Sequence, residues 1–293
     1  MRGWWQDLTD LVLPAECAGC GRPRTVLCPE CRAVLSGAAP RRVRPVPEPT
    51  GLPAVHAAAW YEDEVRAVLL AHKERGALSL ARPLGAALAG AVRAGLPRPV
   101  ASGLGPDRPV LLVPVPSGRG VVRARGHDPA RRIALAAAGE LRRGGTPVRV
   151  VSVLRQRRPV ADQAGLNSRQ RQRNLSGALS VVRGGAGLLR GGTVVLVDDL
   201  MTTGASLAEA ARAVREALDG AEGVAGSGYR DVMTAVYAGV SRERTGEQMT
   251  GGTEGSTGGR GVAPGMSASN TAGDVVCAAV VAASPDAFAI NRN

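Results

Sequence analysis

Two adjacent carboxylates lie directly ahead of a loop of small and hydroxyl-bearing residues in the stretch VVLVDDLMTTGAS, residues 194–206. The four apolar residues before Asp198 and Asp199 are typical of a buried parallel strand, and open α/β sheets bind ligands at the carboxyl ends of such strands. The next residues predict a compact turn whose backbone amides converge on an anion, and Ser206 with Glu209 resembles a capping box that opens a helix. A phosphate fits the turn and sugar hydroxyls fit the carboxylates. The stretch therefore predicts a site for a phosphorylated sugar, with a purely structural strand turn as the alternative.

A second group of residues with metal chemistry lies in CAGCGRPRTVLCPEC, residues 17–31. Cys17, Cys20, Cys28 and Cys31 form two Cys-x-x-Cys pairs that are seven residues apart. Two such pairs complete a tetrahedral zinc site in a segment too small to have its own core, and four cysteine ligands leave no open position for catalysis. We therefore expect a structural zinc knuckle. Disulfides between these four cysteines are the alternative. Cys277, the fifth cysteine, is alone in an apolar run and is expected in the core.

The elements that would position these residues follow an α/β pattern. Short continuous apolar runs at 110–116, 148–154 and 193–199 predict strands covered on both faces of a parallel sheet. Helical patterns occupy 128–143 and 206–220, and two further helices between 64 and 95 are interrupted by Gly76 and Pro83. Strands alternating with helices predict a parallel sheet flanked by helices.

Composition divides the chain into segments. Residues 1–35 are expected to hold an amphipathic helix and the zinc knuckle. The proline-rich residues 36–54 are expected to form an extended linker, and a domain of residues 55–293 follows it. Within this domain, residues 220–273 are dominated by Gly, Ser and Thr and predict a disordered insertion. Residues 275–283 then restore a buried-strand pattern, and 232–240 are the rival for that last core strand.

Charge and hydropathy limit the class of protein. The chain has 293 residues and a formal charge of +12, and Lys73 is its only lysine among 37 basic residues. Such a field attracts polyanions, either phosphorylated metabolites or nucleic acid, although a solvated arginine-rich surface explains it equally well. No apolar run approaches the roughly 18 to 20 residues of a membrane span, and acidic residues interrupt the N-terminal apolar stretch. We therefore expect a soluble cytoplasmic protein.

The stretch 194–206 closely resembles the signature of the type I phosphoribosyltransferases. Enzymes of that fold bind 5-phosphoribosyl-1-pyrophosphate, hereafter the donor, together with Mg²⁺. The resemblance implies that the two carboxylates bind the ribose hydroxyls. It also implies that the 5-phosphate is held by the loop residues Thr202, Thr203, Gly204, Ala205 and Ser206.

The order of motifs along the chain is similar to that of the ComF family. The four cysteines are followed by YEDEVRAVLLAHKERG (61–76), VPVPSGRGVVRARGHDPA (113–130), QAGLNSRQRQRNLSGAL (163–179) and the phosphoribosyl signature. This resemblance covers nearly the whole chain apart from the Gly-rich insertion. It implies an association with natural competence and DNA uptake, and therefore single-stranded DNA and DNA-uptake proteins as partners.

The pyrophosphate side of the expected site is less well defined. A leaving pyrophosphate needs fixed positive charge, and arginines follow the predicted strand at 110–116. The residues predicted for this side are Ser117, Arg123, Arg125 and Arg173. Arg173 belongs to an arm at 155–175 that is also expected to hold Arg169, Arg171 and Asn174 over the site; solvated arginines are the alternative. Family members commonly have Arg-Gly-Phe-Asn-Gln where this chain has RGHDP at 125–129, and Ser117 occupies a position that is often basic or histidine.

The expected reaction is displacement of pyrophosphate from C1 of the donor by a nitrogen nucleophile. The sequence does not identify the acceptor, because the chain has seven aromatic residues and no obvious hood for a base. The single phenylalanine, Phe288, is a candidate for stacking on an acceptor base. The alternative function is a non-enzymatic module that binds a phosphoribosyl group or single-stranded DNA in a DNA-uptake or DNA-handling machine.

Overall fold

Strands and helices alternate along the residues that the computed structural model describes, which are 16–97, 108–158, 168–220 and 275–291. The strands are β1 (Arg41–Val43), β2 (Val55–Trp60), β3 (Val110–Pro114), β4 (Val148–Val150), β5 (Leu154–Gln156), β6 (Leu179–Val181), β7 (Thr193–Met201) and β8 (Val275–Ala283). The α-helices are α1 (Pro29–Ser36), α2 (Asp63–Glu74), α3 (Ala81–Gly95), α4 (Arg119–Arg125), α5 (Pro129–Arg143), α6 (Ser168–Leu175), α7 (Gly185–Leu189) and α8 (Ala205–Gly220). Short 3-10 helices span Leu78–Leu80 and Pro285–Asn291.

Six of the strands form one sheet in the order β1-β2-β8-β7-β3-β4. All neighbouring pairs are parallel except β1 and β2, which are antiparallel. The predicted α/β class with a mostly parallel sheet is therefore confirmed. Strand β8 lies between β2 and β7, which confirms residues 275–283 as a core strand; the rival segment 232–240 lies outside the described residues.

Helices cover both faces of this sheet, which explains why residues 194–197 of β7 are all apolar. Val195 and Val197 pack into the cluster that contains the buried faces of α3 and α5. Val194 and Leu196 point to the opposite face and pack into the cluster of α7 and α8. A strand buried on both faces needs apolar residues at every position, not alternation.

One predicted strand is divided in the structure. Only residues 148–150 of the apolar run 148–154 pair with β3, as β4. The chain then leaves the main sheet, and Leu154–Gln156 form β5, which pairs antiparallel with β6 in a separate two-stranded sheet. Ser152 interrupts the run where the chain changes sheets.

The position of the break between the two helices expected at 64–95 also differs from the prediction. Pro83 does not break it, because it is the third residue of α3, where proline costs no intrahelical hydrogen bond. The break lies earlier, between α2 and the 3-10 helix, where Gly76 has a φ of 66°. Helix α5 begins as expected after Asp128, whose side chain accepts a hydrogen bond from the N–H of Arg131.

The proline-rich residues 36–54 contribute to the sheet. Their Arg41–Val43 segment is β1, which pairs with β2, and Val43 is buried. The expected division into residues 1–35, 36–54 and 55–293 stays a prediction, and residues 1–15 and 221–274 lie outside the described part of the chain. Among the described helices, none has the length and apolar character needed to cross a membrane.

Candidate functional site

The two adjacent carboxylates lie near the carboxyl end of β7, beside the loop that follows β3. Strand β3 pairs with β7 up to Pro114 and Val197, and the N–H of Val115 continues this pairing by donating to the carbonyl of Val197. Asp198 and Asp199 follow at once, and the N–H of Asp199 donates to Oδ1 of Asp198 over 2.8 Å. The parallel pairing therefore brings the carboxylates and the β3 loop to one edge of the sheet.

A lysine that the sequence did not predict for the site pairs with one of these carboxylates. Nζ of Lys73, from α2, lies 2.9 Å from Oδ2 of Asp199, whose side chain is only 7% exposed. Burial alone would lower the pKa of Lys73, but the charges of Asp199 and Asp198 outweigh burial and raise that pKa above its ordinary value. The ammonium is therefore a permanent positive charge in the site.

The second carboxylate, Asp198, lies in an environment that disfavours its charge. Burial and the neighbouring charge of Asp199 raise the pKa of Asp198 well above its ordinary range, and the opposing effect of Lys73 is smaller. Among the described residues Asp198 forms no ion pair within 4 Å. It is therefore the carboxylate of the two that gains most from hydrogen-bond donors on a ligand.

The predicted phosphate loop connects β7 to α8, and Gly204 determines its shape. Gly204 has a φ of 74°, and a Cβ at this position would lie 3.0 Å from Leu52 and 3.2 Å from Pro45. Helix α8 begins at Ala205, so its first backbone N–H groups have no partner within the helix and point toward the loop. The start of this 16-residue helix therefore lies at the loop for which the sequence predicts anion binding, and that role stays a prediction.

The predicted capping box is wrong. Ser206 lies inside the first turn of α8 rather than before it, and the Glu209 carboxylate bonds elsewhere. Its Oε1 accepts from the N–H of Leu179 in β6, over 3.0 Å, and both of its oxygens bind the guanidinium of Arg212. Burial alone would raise the pKa of Glu209, but the hydrogen bonds from Arg212 and Leu179 lower it. Glu209 thus attaches the β5–β6 sheet to α8.

Helix α6, in the arm between β5 and β6, places an arginine against the loop between β7 and α8. Nη1 of Arg171 donates to Oγ1 of Thr202 over 3.3 Å. Nε of the same guanidinium is buried and has no hydrogen-bond partner among the described residues. A buried arginine nitrogen without a partner is costly, and a phosphate oxygen in the loop would satisfy it. Of the arm residues predicted from the sequence, Arg171 thus contacts the loop, whereas Arg173 is exposed.

Two of the arginines predicted for the pyrophosphate side, Arg123 and Arg125, lie on α4, and only Arg125 lines the site. Arg125 lines the site, but its guanidinium makes a bidentate ion pair with Glu74 of α2, with 3.0 Å between Nε and Oε2. Arg123 is exposed and does not line the site. Ser117 lies in the loop after β3 and lines the site with Gly118.

These elements enclose a cavity of about 400 Å³, which we call the donor cavity. Its volume lies within the range of about 300–1,000 Å³ that is usual for small-molecule sites. Of the residues predicted from the sequence, it brings together Ser117, Arg125, Asp198, Asp199, Thr202 and Ser206, and it adds Lys73 and Gln156. Thr203, Gly204 and Ala205 belong to the adjoining loop and are not in its lining.

Phe288 does not line the donor cavity. Its ring stacks on Trp60, with 5.1 Å between the ring centroids, and the pair lines a separate cavity of about 220 Å³. No aromatic side chain is part of the described lining of the donor cavity. The predicted contact of Phe288 with an acceptor base therefore finds no support in this geometry.

The four cysteines form a cluster that could hold a structural metal ion such as zinc. Their Sγ atoms all lie within 4.8 Å of one another, and Cys20 and Cys28 are 3.7 Å apart. Tetrahedral Zn–S bonds of about 2.3 Å place sulfurs about 3.8 Å apart, so the spacing fits zinc. Burial alone would raise the pKa of Cys17, but hydrogen bonds from backbone N–H groups, those of Cys20 and Cys28 first, lower it to about 6. Burial and the neighbouring cysteines instead raise the pKa of Cys31, so that Cys17 is favoured as the thiolate of this pair.

Comparisons with known proteins do not extend these observations. No family model matches the chain, and no curated protein matches it.

Proposed function

We propose that this chain is a type I phosphoribosyltransferase-like protein that binds 5-phosphoribosyl-1-pyrophosphate with Mg²⁺ and transfers the phosphoribosyl group to a nitrogen acceptor. One observation carries the proposal. A single cavity at the sheet edge combines two adjacent carboxylates, a lysine and the loop residues Thr202 and Ser206. Arg171, whose Nε is buried and has no partner among the described residues, contacts this loop at Thr202. A donor with a phosphate, two hydroxyls and a pyrophosphate requires these groups together.

The 5-phosphate would bind in the loop of residues 202–206. The first N–H groups of α8 provide backbone donors, and the positive φ of Gly204 lets the chain turn around the anion. Arg171, which already donates to Thr202, would turn its Nε, which has no partner among the described residues, toward a phosphate oxygen. A bidentate arginine contact would fix the phosphate and thereby the position of the ribose ring.

The ribose hydroxyls would donate to the carboxylates of Asp198 and Asp199. This contact would relieve the unfavourable burial of the Asp198 charge, since hydrogen bonds to a carboxylate stabilise its ionised form. Lys73 would hold Asp199 in place through their ion pair. Two anionic side chains beside the ring would also stabilise the positive charge that develops at C1 in an oxocarbenium-like transition state.

The pyrophosphate would lie over Ser117 and Gly118 in the loop after β3, within reach of the Lys73 ammonium. In the reaction the bond from C1 to the pyrophosphate oxygen breaks, a bond from C1 to the acceptor nitrogen forms, and the nitrogen loses its proton to solvent. The carboxylate and hydroxyl oxygens of the cavity are the hard ligands that suit Mg²⁺. When bound, Mg²⁺ would neutralise charge on the leaving pyrophosphate.

The cysteine cluster would support this site as a structural zinc knuckle. Cys28 is the N-cap of α1, which packs against α2, α3 and β2, and Leu35 of α1 is fully buried. A Cβ on Gly19 would lie 3.2 Å from Glu64, so the knuckle also touches the first turn of α2. Because α2 carries Lys73, the zinc would stabilise the helix that delivers the lysine to Asp199.

The test of transfer is release of pyrophosphate from the donor in the presence of candidate acceptors. Purified protein is incubated with donor, Mg²⁺ and a panel of nucleobases and amines, and the Asp198→Asn/Asp199→Asn variant serves as the control. The proposal expects acceptor-dependent release by the wild type and none by the variant. Equal pyrophosphate release by the wild type and the variant would show that the reaction does not depend on Asp198 and Asp199, and would contradict the proposed site.

A second candidate is the non-enzymatic module associated with DNA uptake. The observation that favours it is the donor cavity itself, whose described lining contains no aromatic side chain to hold a base. The protein would then bind the donor or single-stranded DNA without transfer. It predicts no pyrophosphate release with any acceptor, but salt-dependent binding of a fluorescent oligothymidylate. Oligonucleotide binding that does not weaken as salt rises would contradict it.

A further inference from the structure

A second cavity, of about 630 Å³, lies beside the first turns of α3 and α5 and shares no residue with the donor cavity. We call it the α3–α5 cleft. Its lining comes from the 3-10 helix before α3, the loop between α4 and α5, and the exposed sides of both helices. The proposed transfer reaction does not use it, and only Gly126, His127 and Asp128 of its lining belong to a sequence motif, that at 113–130.

Three arginines give the α3–α5 cleft a strong positive charge. Arg82, Arg131 and Arg132 line it, and none of them forms an ion pair within 4 Å in the described part of the chain. The one acidic residue of the lining, Asp128, already accepts the N–H of Arg131 as the cap of α5. Guanidinium groups match the geometry of phosphate oxygens, so the cleft is suited to a phosphate.

The same cleft has an apolar wall. Leu78 and Leu135 are 42% and 45% exposed, which is high for leucine, and both line the cleft with Ala81 and Ala136. An anion-binding surface that recognised phosphate alone would gain nothing from these side chains. A ligand with a phosphate at one end and an apolar face at the other would cover both.

The wall between the two cavities is held in a fixed shape. His127 is 8% exposed, and its two ring nitrogens lie 3.1 Å from the carbonyl of Arg125 and 3.2 Å from that of His72. These contacts fix the turn at Gly126, which has a φ of 74°. The cleft is thus preformed on this side, and binding there needs little reordering of the loop.

We propose that the α3–α5 cleft is a binding site for a nucleoside monophosphate. The phosphate lies among Arg82, Arg131 and Arg132, and the base lies against Leu78 and Leu135. The volume of the cleft exceeds that of the donor cavity and leaves room for a whole nucleotide. This inference is independent of the proposed transfer reaction, because it uses none of the residues of the donor cavity.

Calorimetric titrations with adenosine 5′-monophosphate and with inorganic phosphate test this proposal. All variants are made in the Asp198→Asn/Asp199→Asn background, so that binding in the donor cavity is weakened equally. The test variant is Arg82→Ala/Arg131→Ala/Arg132→Ala. The control removes three exposed arginines elsewhere, in Arg32→Ala/Arg66→Ala/Arg143→Ala, and lowers the net charge by the same amount.

The proposal expects the test variant to bind the nucleotide at least about tenfold more weakly than its background and the control variant to bind it nearly unchanged. It also expects Leu135→Ser to weaken nucleotide binding but not binding of inorganic phosphate. Equal losses in the two triple variants would mean that only net charge matters, and would overturn the site. If inorganic phosphate binds as tightly as the nucleotide, the proposal that the cleft recognises the nucleoside is overturned.

Discussion

Replacing Lys73 by methionine tests the electrostatics of the donor cavity. Nζ of Lys73 and Oδ2 of Asp199 are 2.9 Å apart, and at an effective dielectric constant of about 20 two unit charges at this distance attract by about 6 kcal/mol. Desolvation of both groups offsets most of this attraction, and removing one partner of a fully buried pair costs about 3–5 kcal/mol. Because the Lys73 side chain is 32% exposed, we expect a smaller loss of about 1–3 kcal/mol in the free energy of unfolding.

Urea denaturation at neutral pH measures this loss, and donor titration of the same variant measures its effect on binding. We expect donor affinity to fall by about tenfold or more, since Asp199 loses its partner and the pyrophosphate loses a cation. Arg66→Met is the matched control, because Arg66 is exposed on the same helix. The raised pKa of Lys73 means that its stabilisation persists at and below pH 10 and is lost as the pH rises through that pKa. A Lys73→Met protein as stable as the wild type, with the same donor affinity, would refute this account of the pair.

Three other substitutions have defined outcomes. Asp198→Asn should raise the melting temperature at pH 8 and raise it much less at pH 4. Because the pKa of Asp198 is raised in the folded protein, the cost of burying its charge develops as the pH rises from the ordinary pKa of an aspartate through the pKa in the folded state. A melting temperature of the variant below that of the wild type at pH 8 would contradict this. Gly204→Ala should reduce the free energy of unfolding by about 1–2 kcal/mol in chemical denaturation, since alanine is strained at a φ of 74°, and no loss would show that the loop adapts. Cys28→Ser should remove the one zinc ion per chain that elemental analysis is expected to find in the wild type; a folded wild type without metal would rule out the zinc knuckle.

The sequence predicted the parts of the fold that depend on continuous local patterns. The run 194–197 is apolar at every position because β7 is buried on both faces, and this pattern identifies a central parallel strand without further information. Pro83 was misjudged because a proline in the first turn of a helix looks, in sequence, like a helix break. The division of 148–154 between two sheets depends on the pairing partners β3 and β6, which local composition does not encode.

The candidate site likewise has residues that the sequence identifies and residues that only the fold brings together. The carboxylates, the loop and the four cysteines are contiguous motifs, so their types and spacing identify them. Lys73 reaches the donor cavity from α2, which is remote in sequence, and only the fold brings it to Asp199. Arg171 belongs to the arm that the sequence places over the site, but its contact with Thr202 is visible only in the fold. One sequence feature marks the lysine: it is the only one in a chain that otherwise uses arginine for every basic residue.

Calorimetric titration of the donor, with and without Mg²⁺, tests the central proposal most directly. The wild type and the Asp198→Asn/Asp199→Asn variant are compared, with far-ultraviolet circular dichroism to establish that both are folded. We predict Mg²⁺-dependent binding by the wild type and a loss of at least about tenfold in affinity in the variant. A folded variant that binds the donor as tightly as the wild type would contradict the assignment of the site.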